Sequence, residues 1–125
     1  MNIPAYLLYT KDHEWIKIKN GIATVGITDY AQGELGDIIF IELPEIGDSV
    51  QAKDSIGTIE AVKTVADIYS PMNGKVSAVN VNLEDNPDSI NTNPYDSGWI
   101  IKLNNFTTNN DDNYLTPNQY KSLIQ

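Results

Sequence analysis

At 125 residues the chain reads as one domain spanning 1–125, long enough for a packed core, and its 41% hydrophobic content holds no apolar run of membrane-spanning length. A net charge of −9, with lysine the only strongly basic residue type, argues against nucleic acid and anionic membranes and for neutral or electropositive partners. Without cysteine, and with His13 as the single histidine, disulfides, thiolate chemistry and Cys- or His-cluster metal sites are excluded, so any redox chemistry must come from a prosthetic group.

The opening Met-Asn-Ile-Pro-Ala-Tyr has neither a basic segment before an apolar core nor an Arg-rich amphipathic pattern, which predicts a protein working where it is made, in the cytoplasm. His13 to Ile18 alternates, Asn20-Gly21 supplies a tight turn, and Ile22 to Ile27 resumes, so a β-hairpin is predicted. A short helix over Thr28 to Leu35 follows, with Asp29 as N-cap, Gln32 completing a capping box and Gly36 after its end. Asp37 to Leu43 is nearly continuously apolar and reads as a strand buried on both faces, before a turn at Pro44 to Gly47.

Ser49-Val50 and Ser55 to Ile59 read as short strands, and Gly57 to Pro71 as a hairpin with Lys63 at its tip, returning through Val65 to Tyr69. Pro71 to Gly74 forms a second Pro-x-x-Gly turn, a weak hint of two similar half-sheets, and Lys75 to Asn82 is the next strand. Leu83 to Asn91 reads as a one-turn helical link with Asn86 as cap and Pro87 at the first helical position, and Trp99 to Leu103 as the closing strand. The Asn-, Asp- and Thr-rich stretch 104–113 is expected to be a loosely held loop. A final helix over 116–124 is capped by Thr116 and Gln119, with Tyr120, Leu123 and Ile124 as its packing face.

No nucleophile with a paired base stands out. His13 and Glu14 are neighbours on a predicted strand and should point to opposite faces, which leaves His13 as a surface histidine. Neither a calcium-type ligand loop nor a phosphate-binding glycine loop is present, so catalysis by this chain alone is not expected. The distinctive feature is a lysine held out on a stiff turn of a small, acidic β domain. That is the profile of a carrier, although a lysine in a turn is more often only a solvated charge.

The ordered segments Lys-Asp-His-Glu-Trp (11–15), Gly-Ile-Ala-Thr-Val-Gly-Ile-Thr-Asp-Tyr-Ala-Gln (21–32), Leu-Gly-Asp-Ile (35–38), Glu-Leu-Pro-Glu-Ile-Gly-Asp (42–48), Glu-Ala-Val-Lys (60–63) and Gly-Trp-Ile-Ile-Lys (98–102) resemble the glycine cleavage H proteins, which are lipoyl carriers. The resemblance runs over about 9–103, with a weaker echo in the last helix. It implies a mainly β fold, a flattened barrel of two antiparallel sheets like lipoyl and biotinyl domains, with short helices including one at the C-terminus. It also implies lipoate on Lys63 through an amide bond, an arm reaching about 14 Å from the backbone.

By the same resemblance the arm exchanges an aminomethyl group of glycine between a pyridoxal-phosphate glycine decarboxylase (P-protein) and a folate-dependent aminomethyltransferase (T-protein). A dihydrolipoyl dehydrogenase (L-protein) reoxidises it, and lipoate-attaching enzymes install it. The chain is thus a monomeric carrier and no enzyme. Motif matching places Glu14 against the amine of the loaded arm and Asp67 near the arm's base. Ala61 and Thr64 depart from the flanking residues common in the family, and Glu34 stands where some members have a histidine. A lipoyl or octanoyl relay for 2-oxo acid dehydrogenases, or a non-carrier module of the same fold, remain the alternative readings.

Overall fold

The computed structural model describes residues 1–107 and 114–125. Among the described residues nine strands form two antiparallel sheets, β1 (Leu8–Tyr9), β2 (Glu14–Lys19), β3 (Ile22–Ile27), β4 (Ile38–Glu42), β5 (Ser49–Val50), β6 (Ser55–Ala61), β7 (Val65–Tyr69), β8 (Asn73–Val79) and β9 (Ile101–Thr107). One sheet has six strands in the order β1-β2-β3-β9-β8-β5, the other three in the order β4-β6-β7, and the two are not closed into a barrel. Short helices interrupt them: α1 (Asp29–Leu35), α2 (Asn82–Asp85), α3 (Ser89–Thr92) and α4 (Pro117–Ile124). No helix among the described residues is long and apolar enough to cross a membrane.

The alternation in the sequence sets which face each strand buries. In β2 and β3, Ile16 pairs with Val25, both fully buried, while the next register pair, Lys17 and Thr24, turns outward. Asn20 and Gly21 carry φ of 53° and 76°, the two positive values a tight hairpin turn requires. Between the sheets, Ile16, Val25, Ile41, Ile59, Ile68, Val76 and Leu103 make the main core. A second cluster joins Leu7, Tyr9, Trp15 and Tyr120, where α4 docks beside β1. The docking is also tied through the backbone, since Tyr9 and Leu115 exchange hydrogen bonds of 2.9 and 2.7 Å.

Several expectations are corrected. Helix α1 is capped by Thr28, whose hydroxyl accepts the Ala31 N–H, and Asp29 is instead the first helical residue, accepting from the Gln32 side chain at 2.8 Å. Strand β4 is not buried on both faces: Ile38 and Ile41 point inward, but Ile39 and Phe40 are each 54% exposed. It is an edge strand of an antiparallel sheet with one solvated face, and the irregular register between Ile38 and Phe40 breaks its alternation. A continuous apolar run could not distinguish that from a central strand.

The link 83–91 holds two short helices, and Asn86 closes α2 while Asp88 precedes α3, so Pro87 lies between helices and not in a first turn. Strand β8 starts at Asn73, inside the expected second turn, and ends at Val79, short of Asn82. Strand β9 begins at Ile101, two residues after Trp99, and runs through Thr107, so 104–107 is paired strand; the remainder of the expected loop, 108–113, lies outside the described residues. Sheets of six and three strands do not form two equal halves. Helix α4 has the expected capping box of Thr116 and Gln119 and a fully buried Tyr120, but Leu123 is exposed.

Candidate functional site

The β6–β7 hairpin places Lys63 at the middle of a turn over 62–64. Glu60 and Val65 are the last register pair below it. The turn is pinned by two backbone hydrogen bonds, Ala61 N–H to Thr64 O at 2.8 Å and Val62 N–H to Asp37 O at 3.0 Å, the second reaching the segment that enters β4. Lys63 is exposed, and its side-chain methylenes pass over Gly36 just after α1, where an added Cβ would meet Cδ and Cε at 3.6 Å. The amine is therefore presented on a braced turn whose stem already lies along the end of α1.

Adjacent to this stem is a cleft of about 330 Å³. Its apolar walls come from Ile27 of β3, Ala31 and Leu35 of α1, Ile59 of β6 and Ala66 of β7. Its polar lining comes from Asp12 and His13 just before β2, Glu14 at its first position, Tyr30 and Glu34 of α1, and Asp67 of β7. Of the residues singled out from the sequence, Glu14 and Asp67 share this cleft. Lys63 is not among its lining residues but stands one residue along, against Gly36, from the wall at Leu35.

Glu14 is 2% exposed, and the segment before it explains why it tolerates that position. Thr10 folds back: its hydroxyl donates to Glu14 Oε1 at 2.7 Å and accepts the backbone N–H groups of Asp12 and Glu14, each at 3.2 Å. Burial raises the Glu14 carboxyl to about 7, the Thr10 hydrogen bond and Lys53 opposing and Asp12 adding to the rise. Near neutral pH this group can give up a proton when a cation arrives and take it back when the cation leaves. Asp67 is exposed on β7, paired in register with Thr58.

His13 is where reading by alternation failed. It lies before β2 begins, at a φ of 66°, so the strand's two-residue period does not yet apply, and both His13 and Glu14 border the cleft. Its Nδ1 lies 2.8 Å from the Tyr120 hydroxyl, and its ring packs on Tyr30 with centroids 4.9 Å apart. Burial lowers its pKa, against the pull of Asp12 and Glu34. The polar Thr10-Lys11-Asp12 stretch ahead of it, with a threonine and an aspartate that can bond nearby backbone, was the signal that the strand had not started.

An exposed lysine on a braced turn, with a cleft beside it that has apolar walls and several acidic side chains in its lining, is the arrangement of a carrier domain. The chain belongs to the glycine cleavage H-protein family, whose model it matches over residues 7–125. It is 61% identical over 103 residues to a glycine cleavage system H protein of Listeria innocua, covering 82% of each chain. To one from Staphylococcus haemolyticus it is 45% identical over 124 residues, covering 99% of this chain and 98% of that one. The crystal structure of a glycine cleavage system H protein from Mycobacterium marinum superposes with a TM-score of 0.89 at 37% identity, covering 98% of both chains. Membership makes the chain a carrier of the glycine cleavage system, not one of its enzymes, in a family whose members carry lipoate.

Proposed function

We propose that the chain is a single lipoyl-carrier domain over 1–125 that bears lipoate on Lys63 and works in the cytoplasm. The observation that carries this reading is the placement of an exposed lysine on a braced hairpin turn, its stem laid against Gly36, the residue after Leu35 in the wall of the cleft that contains Glu14. The surroundings suit the group: apolar walls accept a hydrocarbon chain, and a buried carboxyl in the lining accepts an ammonium. When attached, lipoate supplies a disulfide that carries the aminomethyl group of glycine from the pyridoxal-phosphate decarboxylase to the folate-dependent aminomethyltransferase, and dihydrolipoyl dehydrogenase restores it.

This chain's own residues do the positioning. Lys63 fixes where the arm starts. Glu14, ionised by the approach of an ammonium group, holds the carried amine by a charge-assisted hydrogen bond, while Ile27, Leu35 and Ile59 keep water from it. Asp67, at the exposed side of the cleft, adds a second negative charge near the arm's base. Around the turn, the exposed Phe40, Val62 and Val65 alternate with Glu42, Glu60 and Asp67, a surface that fits enzymes with an apolar seat and a basic rim.

Intact mass of the protein made in its own cell, followed by peptide mapping, tests the attachment. A lipoyl addition located on Lys63 and absent from Lys63→Arg is the expected result; unmodified protein under active lipoate synthesis, or an octanoyl or biotinyl mass in its place, would overturn it.

A further inference from the structure

Helix α4 is remote in sequence from the cleft and does not line it, yet one of its side chains, Tyr120, reaches a lining residue, His13. The Tyr120 ring is fully buried and stacked on Tyr9, with centroids 4.8 Å apart and planes within 8°. Its hydroxyl lies between two partners, Thr28 Oγ1 at 2.7 Å and His13 Nδ1 at 2.8 Å. Stacking alone would be satisfied by phenylalanine. The hydroxyl therefore invites a reading of its own.

One set of directions satisfies every proton: Thr28 is fully buried, its oxygen accepts the Ala31 N–H, and among the described residues the Tyr120 oxygen is the acceptor within reach of its hydroxyl proton, so donation the other way would leave that proton unpaired. Tyr120, accepting from Thr28, then donates its own proton to His13 Nδ1. Burial raises the Tyr120 phenol to about 12, so it remains a donor throughout the physiological range. An imidazole that accepts at Nδ1 is neutral and carries its proton on Nε2. No hydrogen bond to Nε2 is present among the described residues, so that N–H is available at the cleft's rim.

We propose that Tyr120 is a positioning residue for the carrier cleft: anchored by Thr28, its hydroxyl locks His13 as the neutral Nε2–H tautomer beside Glu14, so that the carried amine meets the Glu14 carboxylate with no competing cation. The proposal rests on the cleft reading given above. The charged and titratable groups facing His13 are Asp12 and Glu14 on its own segment, Tyr30 and Glu34 from α1, Tyr120 from α4 and Asp67 across the cleft. Lys53 is engaged by Asp12 at 3.0 Å. Most of this company is acidic and would by itself favour an imidazolium; the donated Tyr120 proton and burial hold the ring neutral against it. A protonated His13 would repel the ammonium and draw on the same carboxylate.

The test combines imidazole nitrogen NMR on the unmodified protein with the rate at which the amine is lost from the loaded, lipoylated protein. In the wild type the Nε2–H tautomer is expected, and a Nδ1–H or mixed tautomer overturns the proposal without any variant. Tyr120→Phe keeps the stack on Tyr9 and should mix the tautomers, move His13 titration to higher pH, and speed amine loss about 3-fold at about pH 6 with little change at about pH 8. An unchanged tautomer or pH profile in Tyr120→Phe overturns it. Glu14→Gln separates the two levels: if it speeds the loss and Tyr120→Phe does not, only the role of Tyr120 falls, and if neither does, the cleft reading falls with it.

Discussion

Lys63 and Glu14, two of the groups proposed to serve the arm, sit in opposite surroundings. Lys63 is exposed on a turn between two paired strands, with only its methylenes in contact with Gly36. Glu14 is 2% exposed, hydrogen-bonded to Thr10, and raised by burial to about 7. On the proposed reading, the group that other proteins find and modify is kept in water, where its amine is accessible. The group that would discriminate between a loaded and an empty arm is kept dry, where a single charge matters most.

That contrast can be broken from the cleft side without touching the tip. Trp15, next to Glu14, lies in the second core cluster and donates its indole N–H to Pro94 O at 2.9 Å; a Cβ added to its register partner Gly26 would sit 2.6 Å from the indole nitrogen. Trp15→Ala should cost about 3–5 kcal/mol of stability in denaturant unfolding, whereas Lys63→Arg should change stability by less than about 0.5 kcal/mol. Comparable losses in both would remove the distinction between a supporting core and a solvated tip.

Glu14→Gln sharpens it. The carboxyl's ordinary value of 4.5 applies to the unfolded chain, and the folded value is about 7, so between them the folded state binds more protons. Wild-type stability attributable to this group therefore falls as pH rises through that window, by about 3 kcal/mol at most, and then levels off. Glutamine has no such titration. Its unfolding free energy, measured across the same window, should lack this fall and compare most favourably with the wild type on the alkaline side; parallel curves would contradict the buried-carboxyl account. A smaller effect is expected at the far end of the chain, where Thr116→Ala removes one half of the α4 capping box and should cost about 1 kcal/mol by thermal or denaturant unfolding.

The hairpins, the tip lysine and the α4 cap were legible because each rests on local rules: a period of two, Asn-Gly at a turn, and Thr-Pro-x-Gln at a helix start. Strand β4 was misread because exposure of Ile39 and Phe40 depends on its edge position in the smaller sheet, which no local pattern encodes. The cap of α1 moved by one residue because Thr28 and Asp29 are both good caps and only the backbone decides between them. In the site, Glu14 and Asp67 came from motif resemblance, and the structure places them in one cleft. His13 and Tyr120 were missed as partners because their contact spans 107 positions and turns on a single positive φ.

The division of labour between tip and cleft is tested most directly by one paired measurement: wild-type and Glu14→Gln protein, each weighed for the lipoyl addition at Lys63 and then, once loaded, followed for loss of the amine. The account predicts equal lipoylation and a loss about 10-fold faster in Glu14→Gln, as expected for removing one charge-assisted hydrogen bond. Equal lipoylation with an unchanged rate of loss would contradict it.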